Sequence, residues 1–476
     1  MSNSSDTTST TKDSAANSGH RKLPVSEKIA YGAGEVTNRY GENGINDVAP
    51  QVYNIIFGLN PAAIGIVMMV VRIWDAITDP IMGYISDNWK GKRGRRKPFI
   101  LLGSVLMAIA YPLVWMASPD WTENAKMIYF LCFSIIFFTC YTIFSVPFRA
   151  LSAEMTTDYA ERTTVRVYGS FFIQAFMLGL PWVFPLAQRD IFPDPVTGIR
   201  IMAALSAILI IAAGILCALI PKEKYRKVAA EQETVKLLPS FKSLIKDKVF
   251  LIMHGVGLGL LSSVILVGSM GLYVNMFYVW EGDTLRGSEY FAIMQNILQV
   301  LSFVMLFVIS KYLINFEKKK LIFLALLFAI IGSVSRWFTF HKGIPELIFL
   351  DPIFFAPANS LFWVVWLSMA GDFCDYDEHA RGQRREGLYG AIGGWVMKAG
   401  VSLAIGLSGI LLAWTEFDQA LGGDQPDGTL TKMRLLLVWL PIICLLIAIV
   451  LNAMYPLTKE RMATIRKELE ERRGVI

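Results

Sequence analysis

Apolar residues in this chain come in long unbroken runs, not at the three-and-four spacing of a helix with one dry face. Residues 99–116, 127–148, 201–220 and 435–454 are each long enough to cross ~30 Å of hydrocarbon as a helix. Extended along the chain, the same reading predicts twelve spans, at 29–57, 61–87, 98–118, 127–153, 165–188, 199–220, 247–280, 287–313, 319–340, 345–374, 387–415 and 433–455. The expected fold is an all-α membrane protein of twelve transmembrane helices in two six-helix halves. An even count returns both chain ends to one side.

Charge bias says which side. Lys90, Lys92, Arg93, Arg95, Arg96 and Lys97 crowd the loop between the second and third spans. Alternate loops continue the pattern with Arg162 and Arg166, the Lys-rich 222–248 segment, Lys311 and Lys318–Lys320, then Arg381, Arg384 and Arg385. The intervening loops at 118–125 and 415–431 are acidic or neutral. The positive-inside rule therefore predicts cytoplasmic basic loops and termini, in a multi-pass protein of the inner (plasma) membrane. The long basic connection after the sixth span divides the chain. Expected units are a disordered cytoplasmic tail at 1–27, six-helix bundles at 28–221 and 247–456 joined by a cytoplasmic loop at 222–246, and a cytoplasmic tail at 457–476. The first residues are rich in Ser, Thr and Asn and lack an apolar core, so the tail is no signal peptide. A weak internal echo supports two halves. Asp158-Tyr159, Arg162, Arg166 and Tyr168-Gly169 resemble Asp375-Tyr376, Arg381, Arg385 and Tyr389-Gly390, each set after the fourth span of its half.

Composition narrows the function classes. Only 18% of residues are charged and 54% are apolar, against about a quarter charged in soluble domains. The formal charge of +6 lies in loops, where topology explains it, so no nucleic-acid partner is expected. The five Cys and four His do not group as a metal centre or a disulfide framework. No Ser/His/Asp set, HExxH or phosphate loop is present, and Gly32-Ala-Gly34 lacks the third glycine and the strand of a dinucleotide site. The chain reads as no enzyme.

The informative residues are charges inside spans, which cost several kcal/mol unless they face a cavity or a partner. In the first span Glu35, Arg39, Glu42 and Asn46 fall within about a 60° arc at ~100° per residue, with Tyr53 on the same stripe. That face suits a cavity wall, or a helix neutralised by its own acid–base alternation. In the second span Arg72, Asp75 and Asp79 share a face. Two carboxylates one turn apart in low dielectric repel unless a cation sits between them or one keeps a proton, the chemistry of a Na⁺ or H⁺ site. The alternative is a structural ion cluster around Arg72. Lys398 in the eleventh span shares its stripe with Ala391, Gly394 and Ser402, small residues that let another helix approach.

These motifs resemble the glycoside–pentoside–hexuronide:cation symporters, a branch of the major facilitator superfamily. The likeness is carried by Arg-Ile-Trp-Asp-Ala-Ile-Thr-Asp-Pro-Ile-Met-Gly at 72–83, Tyr141-Thr-Ile-Phe-Ser-Val-Pro-Phe148, Asp372-Phe-Cys-Asp-Tyr376 through Arg385-Glu386, and Met397-Lys398. The loop from Asp87 through Gly94-Arg-Arg-Lys97 is similar to the general loop of the superfamily. The resemblance implies that Asp75 and Asp79 bind the coupling cation, as metal ligands if it is Na⁺, with Thr142 supplying an oxygen. It implies that Lys398 links cation and sugar sites, and that Trp363 and Arg72 line the sugar cavity. This sequence departs from the family's pattern in several places. Thr78 stands where the pattern has Asn, Arg39 and Ser145 where neutral-sugar members have Asp, Arg149 where they have a sugar-facing Trp, and Ser170 where they have Arg.

The expectation is a secondary symporter that takes up a sugar or glycoside, a uronide included, with Na⁺ or H⁺, using Asp75, Asp79, Thr78 and Thr142 for the cation. Arg39, Glu35, Glu42, Arg72, Ser145, Arg149, Trp363 and Lys398 are the expected substrate residues. No cofactor is expected beyond the coupling cation, and the expected state is a monomer in the lipid bilayer. The alternatives are a lysolipid or other organic-solute symporter of the same fold and a non-transporting sensor.

Overall fold

The computed structural model describes residues 22–89, 91, 94–156, 158–223, 243–313, 316–382 and 386–472. The tail before Lys22, most of the 222–246 loop and the loop residues Lys90, Lys92, Arg93, Arg384 and Arg385 lie outside them. Among the described residues eleven helices are long and apolar enough to cross a membrane. They are numbered here α2 (Pro61–Asn88), α3 (Lys97–Val114), α4 (Glu123–Met155), α5 (Tyr159–Gly179, continued by Val183–Ala187), α6 (Pro195–Leu219), α7 (Lys248–Tyr273), α8 (Thr284–Val308), α9 (Lys318–Thr339), α10 (Asp351–Arg381), α11 (Glu386–Trp414) and α12 (Asp427–Met454). The twelfth is the polar α1, Val25–Asn43, which packs among the others and continues after a turn as Ala49–Gln51 and a π-helical Val52–Ile56.

Local sequence sets where these helices begin. Asn60 accepts from the Ala62 N–H with Pro61 at the first position, Asp158 caps at Glu161, Asp194 at Thr197 before a Pro195 start, and Asp247 at Val249 and Phe250. Each carboxylate or amide satisfies N–H groups that a helix start leaves without partners.

Helix pairing repeats between the halves. In the first half α1 packs on α5 and α6, α2 on α4, and α3 on α4 and α6. In the second, α7 packs on α11 and α12, α8 on α10, and α9 on α10 and α12. Every pair recurs six helices later. The two most extensive helix contacts between halves, α2 with α11 and α5 with α8, exchange under the same shift. That is the signature of a parallel repeat about an axis through the bundle centre.

The two ends of the bundle differ. At the end carrying the chain termini, the Glu223 carboxylate accepts from the N–H groups of Arg95, Arg96 and Lys97 at the start of α3, and Arg96 Nε donates to Glu154 at 2.9 Å. On the second half Asp372 holds Lys318 and Arg466, each at 2.6 Å. Arg466 lies on a thirteenth helix, α13 (Lys459–Arg472), within the stretch read above as a tail. Its Met462, Ile465 and Leu469 are buried.

At the opposite end the halves are bonded to one another. Tyr273 donates to Asn54 Oδ1 at 2.9 Å, Gln419 donates to the Ile55 carbonyl at 3.0 Å, and Thr284 donates to Gln188 at 2.7 Å. Glycines let α2 and α11 touch there. A Cβ on Gly65 would lie 2.8 Å from the Gly406 carbonyl oxygen, and one on Gly409 would meet the Pro61 carbonyl. Toward the termini the same helices part, and a Cβ on Gly390 or Gly394 would meet nothing within 4 Å.

Candidate functional site

Asp75 and Asp79 sit one turn apart on the face of α2 that meets α11, midway along both helices. Lys398 of α11 reaches between them, its Nζ donating to Asp75 Oδ2 at 2.9 Å and to Asp79 Oδ2. Asp75 is fully buried. Its second oxygen accepts from the Thr142 hydroxyl on α4 at 3.2 Å, and Thr142 lies 3.1 Å from the Thr78 hydroxyl. Arg72, one turn earlier, places Nη1 3.7 Å from Asp75 Oδ2. Three helices thus bring two carboxylates, two hydroxyls and two cations to one place, and the formal charges cancel. A buried carboxylate without such partners would be costly. Asp79 keeps one buried oxygen, Oδ1, with no hydrogen-bond partner.

A cavity of about 590 Å³ opens beside this cluster between the halves. Arg39, Glu42, Arg72 and Trp363 line it, together with Asn46 and Asp47. Its volume lies in the range of small-molecule sites. Its charges are partly spent on one another. Arg39 Nη1 pairs with Glu42 Oε2 at 2.8 Å, and Arg72 Nη2 donates to the Glu42 carbonyl at 2.8 Å while its guanidinium lies over Phe138. A more apolar pocket of about 410 Å³ adjoins it, walled by Trp363, Trp366, His254 and Tyr389 and bordered by Lys398. The cation cluster and the cavity therefore share Arg72 and, through the adjoining pocket, Lys398.

Other expected site residues lie elsewhere. Glu35 accepts from Asn38 at 3.2 Å and packs toward Gly169 of α5, outside the cavity walls. Ser145 is buried, its hydroxyl without a partner. Ser170 bonds the Arg166 carbonyl one turn back. Arg149 is exposed two turns toward the termini from Thr142, outside the cavity walls, and donates to the Tyr141 hydroxyl at 3.1 Å. Among the described residues no carboxylate lies within ion-pair distance of it. Tyr53 corrects the first-span stripe. It is fully buried, stacks on Phe130 with centroids 4.0 Å apart and donates to the Val114 carbonyl. The turn after Asn43 and the π-helical segment rotate it off the face that a constant 100° per residue predicts.

The sequence reading missed Asn43, Asp47, Gln51 and Gln295, which line the cavity. A signal was present, because Arg39, Asn43, Asp47 and Gln51 repeat every four residues.

The family described as MFS/sugar transport protein matches residues 30–459. An uncharacterized symporter of Synechocystis is 26% identical over 95% of this chain and 97% of its own length. A putative sulfoquinovose importer of Escherichia coli is 24% identical over 95% of both. Among solved structures, a D-xylose–proton symporter superposes with a TM-score of 0.62 at 17% identity, covering 88% of this chain and 97% of its own, a likeness of fold.

Proposed function

The chain belongs to the MFS/sugar transport family of the major facilitator superfamily, and from that membership we propose that it is a symporter coupling an acidic sugar or glycoside to Na⁺ or H⁺ by alternating access. The observation that carries the reading is the ammonium of Lys398, on one half, between Asp75 and Asp79 on the other. The cluster is already neutral, so an arriving cation displaces the ammonium instead of joining it. Na⁺ takes oxygens from Asp75, Asp79, Thr142 and Thr78, and H⁺ neutralises Asp79. Na⁺ frees Lys398 from both carboxylates and H⁺ frees it from Asp79, so either way a donor of the ammonium opens beside the cavity, and an anionic substrate takes it. Each ligand then favours the other, which is coupling in the thermodynamic sense.

Two features support an anion. Arg72, which lines the cavity beside Lys398 and keeps its Nε without a hydrogen-bond partner, offers a planar guanidinium that matches a carboxylate or sulfonate. The Escherichia coli relative is named for sulfoquinovose, a sulfonated sugar. The basic loops at the end carrying the termini support a cytoplasmic position for that end, which turns the open gap between α2 and α11 inward.

The test is displacement of a bound label by sugars and their uronic acids, repeated in vesicles with imposed Na⁺ or H⁺ gradients. The acids displace about tenfold better than their neutral parents, and Arg72→Gln erases the difference. Equal displacement by both, unaltered in the variant, returns the substrate to a neutral sugar. Uptake that follows pH and ignores Na⁺ assigns the proton.

A further inference from the structure

A second cavity of about 210 Å³ lies between α1, α5 and α8, nearer the bonded end of the bundle. It shares Asp47, Gln51, Met177, Leu272, Phe291 and Gln295 with the main cavity. Alone it is smaller than the usual small-molecule site, so it serves as a lobe of the first.

Its polar groups have unused capacity. Asp47 accepts one bond, from Asn43 Nδ2 at 3.1 Å, and among the described residues no cation lies within ion-pair distance. Gln51 donates to the Asp47 backbone carbonyl, which leaves its side-chain oxygen for other partners. Gln295 and Gln299, one turn apart on α8, make no side-chain hydrogen bond among the described residues. Around these groups stand Met177, Phe184, Leu272 and Phe291. Mixed donors and acceptors at the rim of an apolar wall match a polyhydroxylated ring, which has hydroxyls at its edge and C–H groups on its faces. The lobe's one charged group is a carboxylate, which accepts from hydroxyls and repels an acid.

We propose that this lobe is a subsite for a neutral sugar ring, and that the substrate is an acidic glycoside of at least two units, its acid toward Arg72 and Lys398 and its neutral ring against Asp47, Gln295 and Gln299. The assignment rests on the acidic-sugar reading above. The main cavity of about 590 Å³ and the lobe of about 210 Å³ together offer more room than one sugar ring fills.

Three probes test it on the purified full chain in lipid nanodiscs: glucuronic acid, a disaccharide of glucuronic acid and a neutral hexose, and the neutral disaccharide of the same linkage. The acidic disaccharide binds about tenfold tighter than glucuronic acid. Gln299→Leu, which removes an amide outside the main cavity, erases that margin and leaves glucuronic acid unchanged. Gln299→Phe, which fills the lobe, excludes the disaccharides alone. Equal wild-type binding of one-ring and two-ring acids, or equal effects of Gln299→Leu on both, overturns the lobe. Binding of the neutral disaccharide in place of the acids, with the Gln299→Leu loss, overturns the acidic-substrate reading and keeps the lobe. Binding of no probe overturns both.

Discussion

Asp79 holds Lys398 with one oxygen and leaves the other, buried, without a partner. A carboxylate in that state accepts a proton or ligates Na⁺, and an amide does neither. Asp79→Asn should bring gradient-driven accumulation down to equilibration while substrate exchange persists, because Asp75 still anchors Lys398. Accumulation at the wild-type ratio in vesicles would remove the cation from this cluster. Lys398→Ala makes the complementary case. It leaves two carboxylates a turn apart with Arg72 at 3.7 Å as their cation. Cation affinity should rise about tenfold or more, since no ammonium competes. The effect of substrate on that affinity, typically ~5–150-fold in coupled systems, should vanish. A binding titration with an unchanged coupling factor would leave Lys398 a structural ion pair. At this scale the meeting of Asp75, Asp79 and Lys398 was legible, because an ionised group in hydrocarbon must find a partner. That Glu35 and Ser145 lie outside the cavity walls was not legible, because which way a polar side chain turns depends on neighbours that a single helix does not reveal.

The spans were legible because hydrocarbon thickness imposes a length on every one of them. What that rule does not reach is backbone irregularity. The break in α1 after Asn43 carried Tyr53 off its expected face, because Gly44, Asp47 and Pro50 at that turn fall inside what reads as one continuous span at 29–57. Amphipathic α13 was missed for the opposite reason, since its buried Met462, Ile465 and Leu469 are too sparse to stand out beside the spans. The contact between α2 and α11 depends on residues with nothing to show but absence. A methyl on Gly409 would meet the Pro61 carbonyl and come within 2.8 Å of Gly65 Cα. Gly409→Ala should therefore weaken closure of the bonded end by ~1–3 kcal/mol, read as a lower melting temperature and as labelling of cysteines placed near Gly65. Gly394→Ala, with open space around it, should change neither measurement in this conformation.

For the molecule as a whole, the six-helix repeat means that each half moves as a packed unit and that the halves meet along two seams. The sequence held a faint trace of this in Asp158-Tyr159 and Asp375-Tyr376, whereas the pairing of α2 with α11 is a property of the assembled bundle. Along that seam the helices run antiparallel in constant register: Gly65 meets Gly406 and Gly409, and Asp75 and Asp79 meet Lys398. Four residues further along α2 stands Gly83, and four and eight residues back along α11 stand Gly394 and Gly390. The seam is thus a pair of scissors, with bare backbone at both tips and its rivet at Lys398. Closing the parted tips brings Gly83 onto Gly394 and opens those at Gly65. A Gly83→Cys, Gly394→Cys protein should form a disulfide only when the tips at Gly65 are apart, and Gly65→Cys, Gly406→Cys only when they are together, so no single molecule should carry both bonds. Displacement is smallest at a rivet. On the proposed coupling the ammonium should therefore trade places with a cation in either pose, while the blades sweep the cavity from one side of the membrane to the other.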